Sequence, residues 1–333
     1  MRARRISGMS AVAAVAAPRR LRGFVSQEWL LVIALAALFI VVGLINPRFV
    51  ATRNLQTILL GNAYIAVAAI GMTMVIVSGN IDISVGSLIG VLASVSGTLA
   101  VAGVPVALAW LIPVALSVMV MLFQGALIAY VRIPSIVVTL GMLSILKGGL
   151  ISVTNGAWIS NLPANYHLAQ WQVLGVIPMP VAFMVVLTLA AAWWMRNTAA
   201  GRSIYAVGGN AEAARLCGMP RERTLMMVFA VHGAFIGLAA VLFATQLSVI
   251  QSTVPPNLEL TIITASVVGG VSILGGTGTV IGSTLAAVLI AAIGSSLIFV
   301  NISPFWLRAV QGTLILVTVL ADIYRRRRRG LAR

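Results

Sequence analysis

The chain has 333 residues, 60% of them hydrophobic and only 8% charged, with a mean hydropathy of +1.08. A soluble domain carries about 25% charged residues, so this composition excludes a soluble domain of useful size. The formal charge of +16 would suit a nucleic-acid binder, but six arginines fall in 1–22, five in 196–223 and six in 325–333, with apolar spans between them. No basic surface with interleaved aromatics results, so nucleic acid is not an expected partner. The clusters fit cytoplasmic flanks under the positive-inside rule. A single cysteine, Cys217, excludes an intramolecular disulfide and a Cys-based metal cluster. Neither histidine, His167 nor His232, has a second ligand at metal spacing, and no cofactor is expected.

In chain order, residues 1–28 form a basic tail without a long apolar core. The first apolar span is about Trp29–Ile45, closed by Asn46-Pro47, since Pro disfavours helix at the residue before it. Spans follow at about Leu55–Val77, Ser84–Val101, Val106–Tyr130 and Ser135–Val153, the last containing Lys147, the only lysine. Residues 154–180 hold Trp158, Tyr166, His167 and Trp171 and hardly any charge, which predicts an external loop with interfacial aromatics. A sixth span, about Val181–Met195, precedes the polar segment 196–223. A seventh, about Thr224–Leu247, leads to an external turn at Gln251–Asn257 with Pro255 and Pro256. An eighth runs from near Glu259 to a glycine-rich break at Gly269–Gly282. The last two are about Ser283–Val300 and Leu307–Tyr324, and 325–333 is a second basic tail. Each long run suffices to cross about 30 Å of hydrocarbon. The expectation is an all-α, polytopic integral membrane protein of about ten transmembrane helices. One transmembrane domain would cover 29–324, with both termini on the cytoplasmic side.

The stretch Met74–Gly90 breaks one apolar run at Ser78-Gly79-Asn80, places Asp82 two residues on, and opens another run through Ser84, Gly86 and Ser87. A carboxylate at the centre of a membrane helix costs about 2.5 to 3.5 kcal/mol, so it needs a helix end, a partner or a water-filled cavity. Asp82 and Glu259 are the two acids set against apolar spans away from the basic flanks. Each precedes a helix, where an acid satisfies free N–H groups, so a capping role and a pore-lining role both stand. Gly86–Gly90 is echoed at Gly278–Gly282, and Gly-broken segments in matching halves point to a substrate path.

In 201–224, Asn210 is a good N-cap, Glu212 lies in the first turn, Arg215 near the end, and Gly218 with Pro220 stops the helix. That predicts about two turns, roughly 10 Å, too short to span. The helix is either an ordinary loop helix or a docking element. No P-loop pattern occurs, so the chain is not expected to hydrolyse ATP.

These motifs in this order resemble the permease subunits of bacterial ribose-type ATP-binding-cassette sugar importers. The matching residues are Asn46-Pro47-Arg48-Phe49, SGNIDISVGS at 78–87, IPSIVVTLGM at 133–142, GRSIYAVGGNAEAARLCGM at 201–219, Leu258-Glu259-Leu260 and VVGGVSILGGTGTVIG at 267–282. The resemblance implies a subunit of the bacterial inner membrane, paired with a second permease chain as a homodimer or heterodimer. It also implies a periplasmic or lipid-anchored sugar-binding protein and two cytoplasmic ATPase subunits. Asn80, Asp82, Ser84, Gly86, Ser87, Glu259, Gly269, Gly270, Gly275 and Gly276 would belong to the translocation path. Arg202, Gly208, Gly209, Asn210, Glu212, Ala213, Arg215 and Gly218 would form the ATPase-coupling element. Asn80 in place of the usual Gly, and Gly156-Ala157-Trp158-Ile159 before Leu162-Pro163, are similar to the autoinducer-2 and rhamnose branches. The rival is an ion- or proton-coupled secondary transporter, disfavoured because proton relays need chains of intramembrane acids or histidines.

Overall fold

The computed structural model describes residues 27–173, 175 and 177–328. The expected basic tails lie outside these residues, apart from Gln27, Glu28 and 325–328. The ten apolar segments are all helical: α1 Gln27–Ile45, α2 Thr52–Val77, α3 Val85–Val101, α4 Val106–Ala129, α5 Ser135–Thr154, α6 Met179–Asn197, α9 Arg221–Ala244, α10 Leu258–Val268, α11 Val280–Phe299 and α12 Trp306–Arg328. Between α6 and α9 lie two polar helices, α7 Ala199–Gly209 and α8 Ala211–Leu216. Among the described residues, eight helices are long and apolar enough to cross a membrane; α3 and α10 are shorter. We call the end of the bundle that carries α7 and α8 the near end.

The helices stop where chain chemistry stops them. Asn46 caps a 3-10 turn over Pro47–Val50, its side chain accepting from the Arg48 N–H. α5 ends on Asn155 in the left-handed region. α2 is the central post, buried over most of its length and packed on α9, α11, α10 and α6. α4 lies along α9, and α3 fills the angle between them, with α5 outside it. α1 covers α11, and α12 covers α10.

The α4–α9 seam is held close by small residues. A Cβ at Gly233 would lie 2.8 Å from the Val118 Cα, and one at Gly237 would lie 2.5 Å from the Val114 Cα. These two glycines, four apart on one face of α9, let the backbones approach, as small-xxx-small pairs do in membrane helices.

At the far end the expected loop is folded rather than open. Strand β1, Trp158–Ile159, pairs antiparallel with β4, Ile250–Gln251; β2, Gln172–Val173, forms a hairpin with β3, Ile177–Pro178. Trp158 and Trp171 are exposed, as interfacial aromatics should be, but Tyr166 is fully buried. Its hydroxyl donates to Ser96 Oγ at 2.8 Å, and Ser96 Oγ donates in turn to the Ala109 carbonyl. Burial pushes the Tyr166 phenol up to about 12, which keeps it neutral and able to donate. Tyr166 is thus the peg that fixes this loop to α3 and α4.

Candidate translocation and coupling site

The first helix break is built from local bonds. After α2 the Ser78 hydroxyl donates back to the Val75 carbonyl, and Asn80 Nδ2 donates to Ser78 Oγ and the Ser78 carbonyl. Asp82 Oδ1 accepts from the Ser84 N–H at 2.8 Å and from Ser84 Oγ at 2.6 Å. The carboxylate therefore closes a local turn onto Ser84, the residue before α3, and does not accept from an N–H within the first turn of that helix. Its other oxygen is spoken for as well. His232 Nε2 on α9 lies 3.1 Å from Asp82 Oδ2, with both side chains fully buried. Gln124 Nε2 on α4 donates to Ser84 Oγ at 3.0 Å. Four buried polar residues from three parts of the chain, the break, α4 and α9, thus join in one network. Gly71 on α2 gives the imidazole its room: a Cβ there would lie 2.6 Å from His232 Nδ1. Asn80, Asp82, Ser84 and Ser87 are all buried within the chain, so their observed partners are protein groups.

The second half contributes an element that runs against expectation. Gln251–Asn257 was expected to be an external turn. Instead the chain from Ile250 follows α3 inward. Ile250 sits over Gly97, Val254 over Gly90, and Leu258 with Glu259 over Gly86. Eleven residues of α3 separate Gly97 from Gly86, so the segment descends about 16 Å at 1.5 Å per residue. The three glycines, four and seven apart, line one face of α3 and open the groove the segment fills. Asn257, in the left-handed region, then starts α10. α3 and α10 consequently begin side by side: a Cβ at Gly86 would lie 3.0 Å from the Glu259 backbone nitrogen and 2.5 Å from its Oε2. Glu259 is partly exposed. At the other end of α10, Gly269 packs on Gly282 and Ser283 at the start of α11. The two echoing glycine motifs therefore grip opposite ends of α10.

At the near end two double-glycine segments, Gly208–Gly209 and Gly275–Gly276, meet the Val77–Gly79 end of the first break. The Val77 carbonyl, at the end of α2, accepts from the Gly276 N–H at 2.8 Å. Gly208, near the end of α7, lies so close to that carbonyl that any Cβ would overlap it. Gly275 has φ +80° and faces Gly79 and the Gly208 carbonyl; a Cβ there would lie 3.0 Å from the Gly79 Cα and 2.8 Å from the Gly208 oxygen. Only glycine meets both the left-handed backbone and this approach. Gly209 faces Gly276, and Tyr205 on α7 donates to the Gly278 carbonyl at 2.9 Å. Gly270 is set apart from this junction, against the Gln27 side chain. Of the residues expected to couple, Gly208 and Gly209 are thus in direct backbone contact with the two helix breaks.

α8 matches its expected form. Asn210 Oδ1 accepts from the Glu212 and Ala213 N–H groups at 3.1 and 3.0 Å, and Gly218, at φ +79°, ends the helix. Six residues make it about 9 Å long. Arg215 and Glu212 pair at 2.7 Å on the surface, and the carboxylate raises the guanidinium pKa by hydrogen bonding and charge. Leu216 is 79% exposed, and Arg202 on α7 is exposed, bonded to the Asn197 carbonyl. α7 was not expected as a separate helix. Its signal was present: Thr198 caps it through the Gly201 N–H, and Gly201, Ile204 and Val207 bury one face at spacings of three. Gln124 was also missed, although an amide inside an apolar helix needs a partner.

A family described as the branched-chain amino acid transport system, permease component, matches residues 54–319. The chain belongs to this permease family. The permease is 34% identical over 297 residues to the autoinducer 2 import system permease protein LsrC of Salmonella typhi, covering 89% of this chain and 86% of that one. It is 34% identical to the protein of the same name from Yersinia pseudotuberculosis serotype O:1b over 298 residues, 89% and 85% of the two chains. The Enterobacter sp. (strain 638) protein of that name is 34% identical over 291 residues, 87% and 84%. No solved structure matches. The permease is accordingly a multi-pass protein of the bacterial inner membrane, and the matched region takes in both helix breaks, α7 and α8.

Proposed function

We propose that the permease is the membrane subunit of an ATP-driven importer for a small sugar or sugar-derived solute of the autoinducer-2 or rhamnose kind. Two permease chains enclose the path, cytoplasmic ATPase subunits seat on α8, and a periplasmic or lipid-anchored binding protein delivers the solute. Both termini and the near end face the cytoplasm, in keeping with their arginine clusters. The observation that carries this reading is the backbone contact of Gly208–Gly209 with Val77 and Gly275–Gly276. A push on α8 is passed through α7 to the ends of both broken segments. Asn80, Asp82 and Ser84 hold the first break in shape, Gly86, Gly269 and Gly282 let α10 move between its two grips, and Glu259 is the acid with access to the path.

Two measurements test this. ATP-dependent sugar uptake by vesicles holding the permease, an ATPase and the binding protein is expected. Uptake that persists without ATP under a proton gradient would contradict it. Glu212→Lys places like charge beside Arg215 on a surface pair that contributes little to folding, about 0 to 1 kcal/mol. The protein should reach the membrane at normal levels while coupled uptake falls by about tenfold or more, since like-charge contacts at an interface cost several kcal/mol. Normal uptake would refute docking at α8.

A further inference from the structure

α5 is attached along one flank only. It packs on α3 and α4, burying Val138, Thr139 and Leu150. The opposite flank, with Leu140, Ser144, Lys147, Gly148 and Ile151, is exposed. Lys147 lies twelve residues from the start of this 20-residue apolar helix and seven from its end, about 18 Å and 10 Å at 1.5 Å per residue. Its four-carbon stem covers only part of the shorter distance. Among the described residues, no salt bridge or hydrogen bond engages its ammonium. Ser144, one turn earlier on the same flank, bonds only back to the Leu140 carbonyl, and nothing lies within 4 Å of a Cβ at Gly148.

An ammonium at this depth facing hydrocarbon would cost about 2.5 to 3.5 kcal/mol, and charged residues within spans instead face a bundle interior or a water-filled cavity. Among the described residues, none forms a wall opposite this flank. We infer that the Lys147 flank of α5 lines an aqueous path closed on its far side by a second permease chain, and that Lys147 is a solute-recognising cation within it. This rests on the importer reading above. A dry helix-to-helix seam is disfavoured, because it would bring the lysines of two copies together without a counter-charge. An ammonium offers three donors and no acceptor. It therefore suits hydroxyl-rich solutes, neutral or anionic, and repels cations.

The test uses the complex of permease, ATPase and binding protein in sealed proteoliposomes, with labelling read by peptide mapping so that Cys217 is counted separately. Lys147→Cys is treated with an impermeant anionic methanethiosulfonate, and Val186→Cys, on an exposed apolar face of α6, serves as the lipid-facing control. Position 147 should react at least about tenfold faster than position 186, because only a water-lined site admits a charged reagent. Equal rates would overturn the inference. If Lys147→Cys does not assemble, the native chain decides: an impermeant amine-acylating reagent should modify Lys147, its only lysine, and block uptake. An unmodified Lys147 would overturn the inference. A complex that imports under ATP yet leaves position 147 unreactive loses this inference alone. A chain that assembles with no ATPase loses the importer reading itself.

Discussion

Gly208→Val should leave the protein in the membrane and reduce ATP-driven uptake to background. Gly208 lies against the Val77 carbonyl, which already accepts from the Gly276 N–H. The added Cβ is fixed in place by the α7 backbone and meets a backbone carbonyl, so no side-chain rotation relieves the collision. Overpacking of this kind costs about 1 to 3 kcal/mol, and the cheapest relief is separation of α7 from the two breaks. The spans pack through other surfaces, chiefly α2, α4, α9 and α11, so the bundle should survive. ATP hydrolysis in the assembled complex should continue while uptake is lost, the signature of a broken link between drive and path. Valine-containing protein with normal uptake per ATP would show that the glycine junction transmits nothing.

Asp82→Leu should instead act on stability. It strips acceptors from the Ser84 N–H, Ser84 Oγ and His232 Nε2, all buried. Leaving buried donors without an acceptor costs about 1 to 3 kcal/mol each, visible as a lowered Tm in detergent and reduced yield. Asp82→Asn keeps an oxygen for Ser84 and an amide that can meet the other tautomer of His232. It should hold Tm within a few degrees and retain uptake. An Asn variant with unchanged Tm but no uptake would give Asp82 a direct part in the path and contradict a purely structural role.

The ten apolar segments were legible because each is a run of one character, ended by chemistry that stops helices, as at Asn46-Pro47, Ser78-Gly79 and Gly103-Val104-Pro105. Asn210 as the cap of α8 was legible because capping is decided within four residues. What stayed hidden was set by distance in sequence. Asp82 and His232 are 150 residues apart, and each alone has a satisfactory bland explanation. Val254-Pro255-Pro256 carries the turn chemistry of a surface loop; only the Gly86, Gly90 and Gly97 face of α3 marks the groove that draws it inward. α7 was disguised by Arg202 and Ser203, which interrupt its apolar face. The near-end junction depends on two glycine pairs, Gly208–Gly209 and Gly275–Gly276, and on Gly79, which no local signal relates.

Cys217 offers the most direct test of ATPase docking at α8. It follows α8, is exposed, and is the only cysteine in the chain, so a water-soluble maleimide reports on that one position. The permease alone in inside-out vesicles should be labelled readily. Assembly with its ATPase subunits should slow labelling by about tenfold or more, as burial at a protein interface excludes water and reagent. Equal labelling of the free and assembled permease would contradict the account.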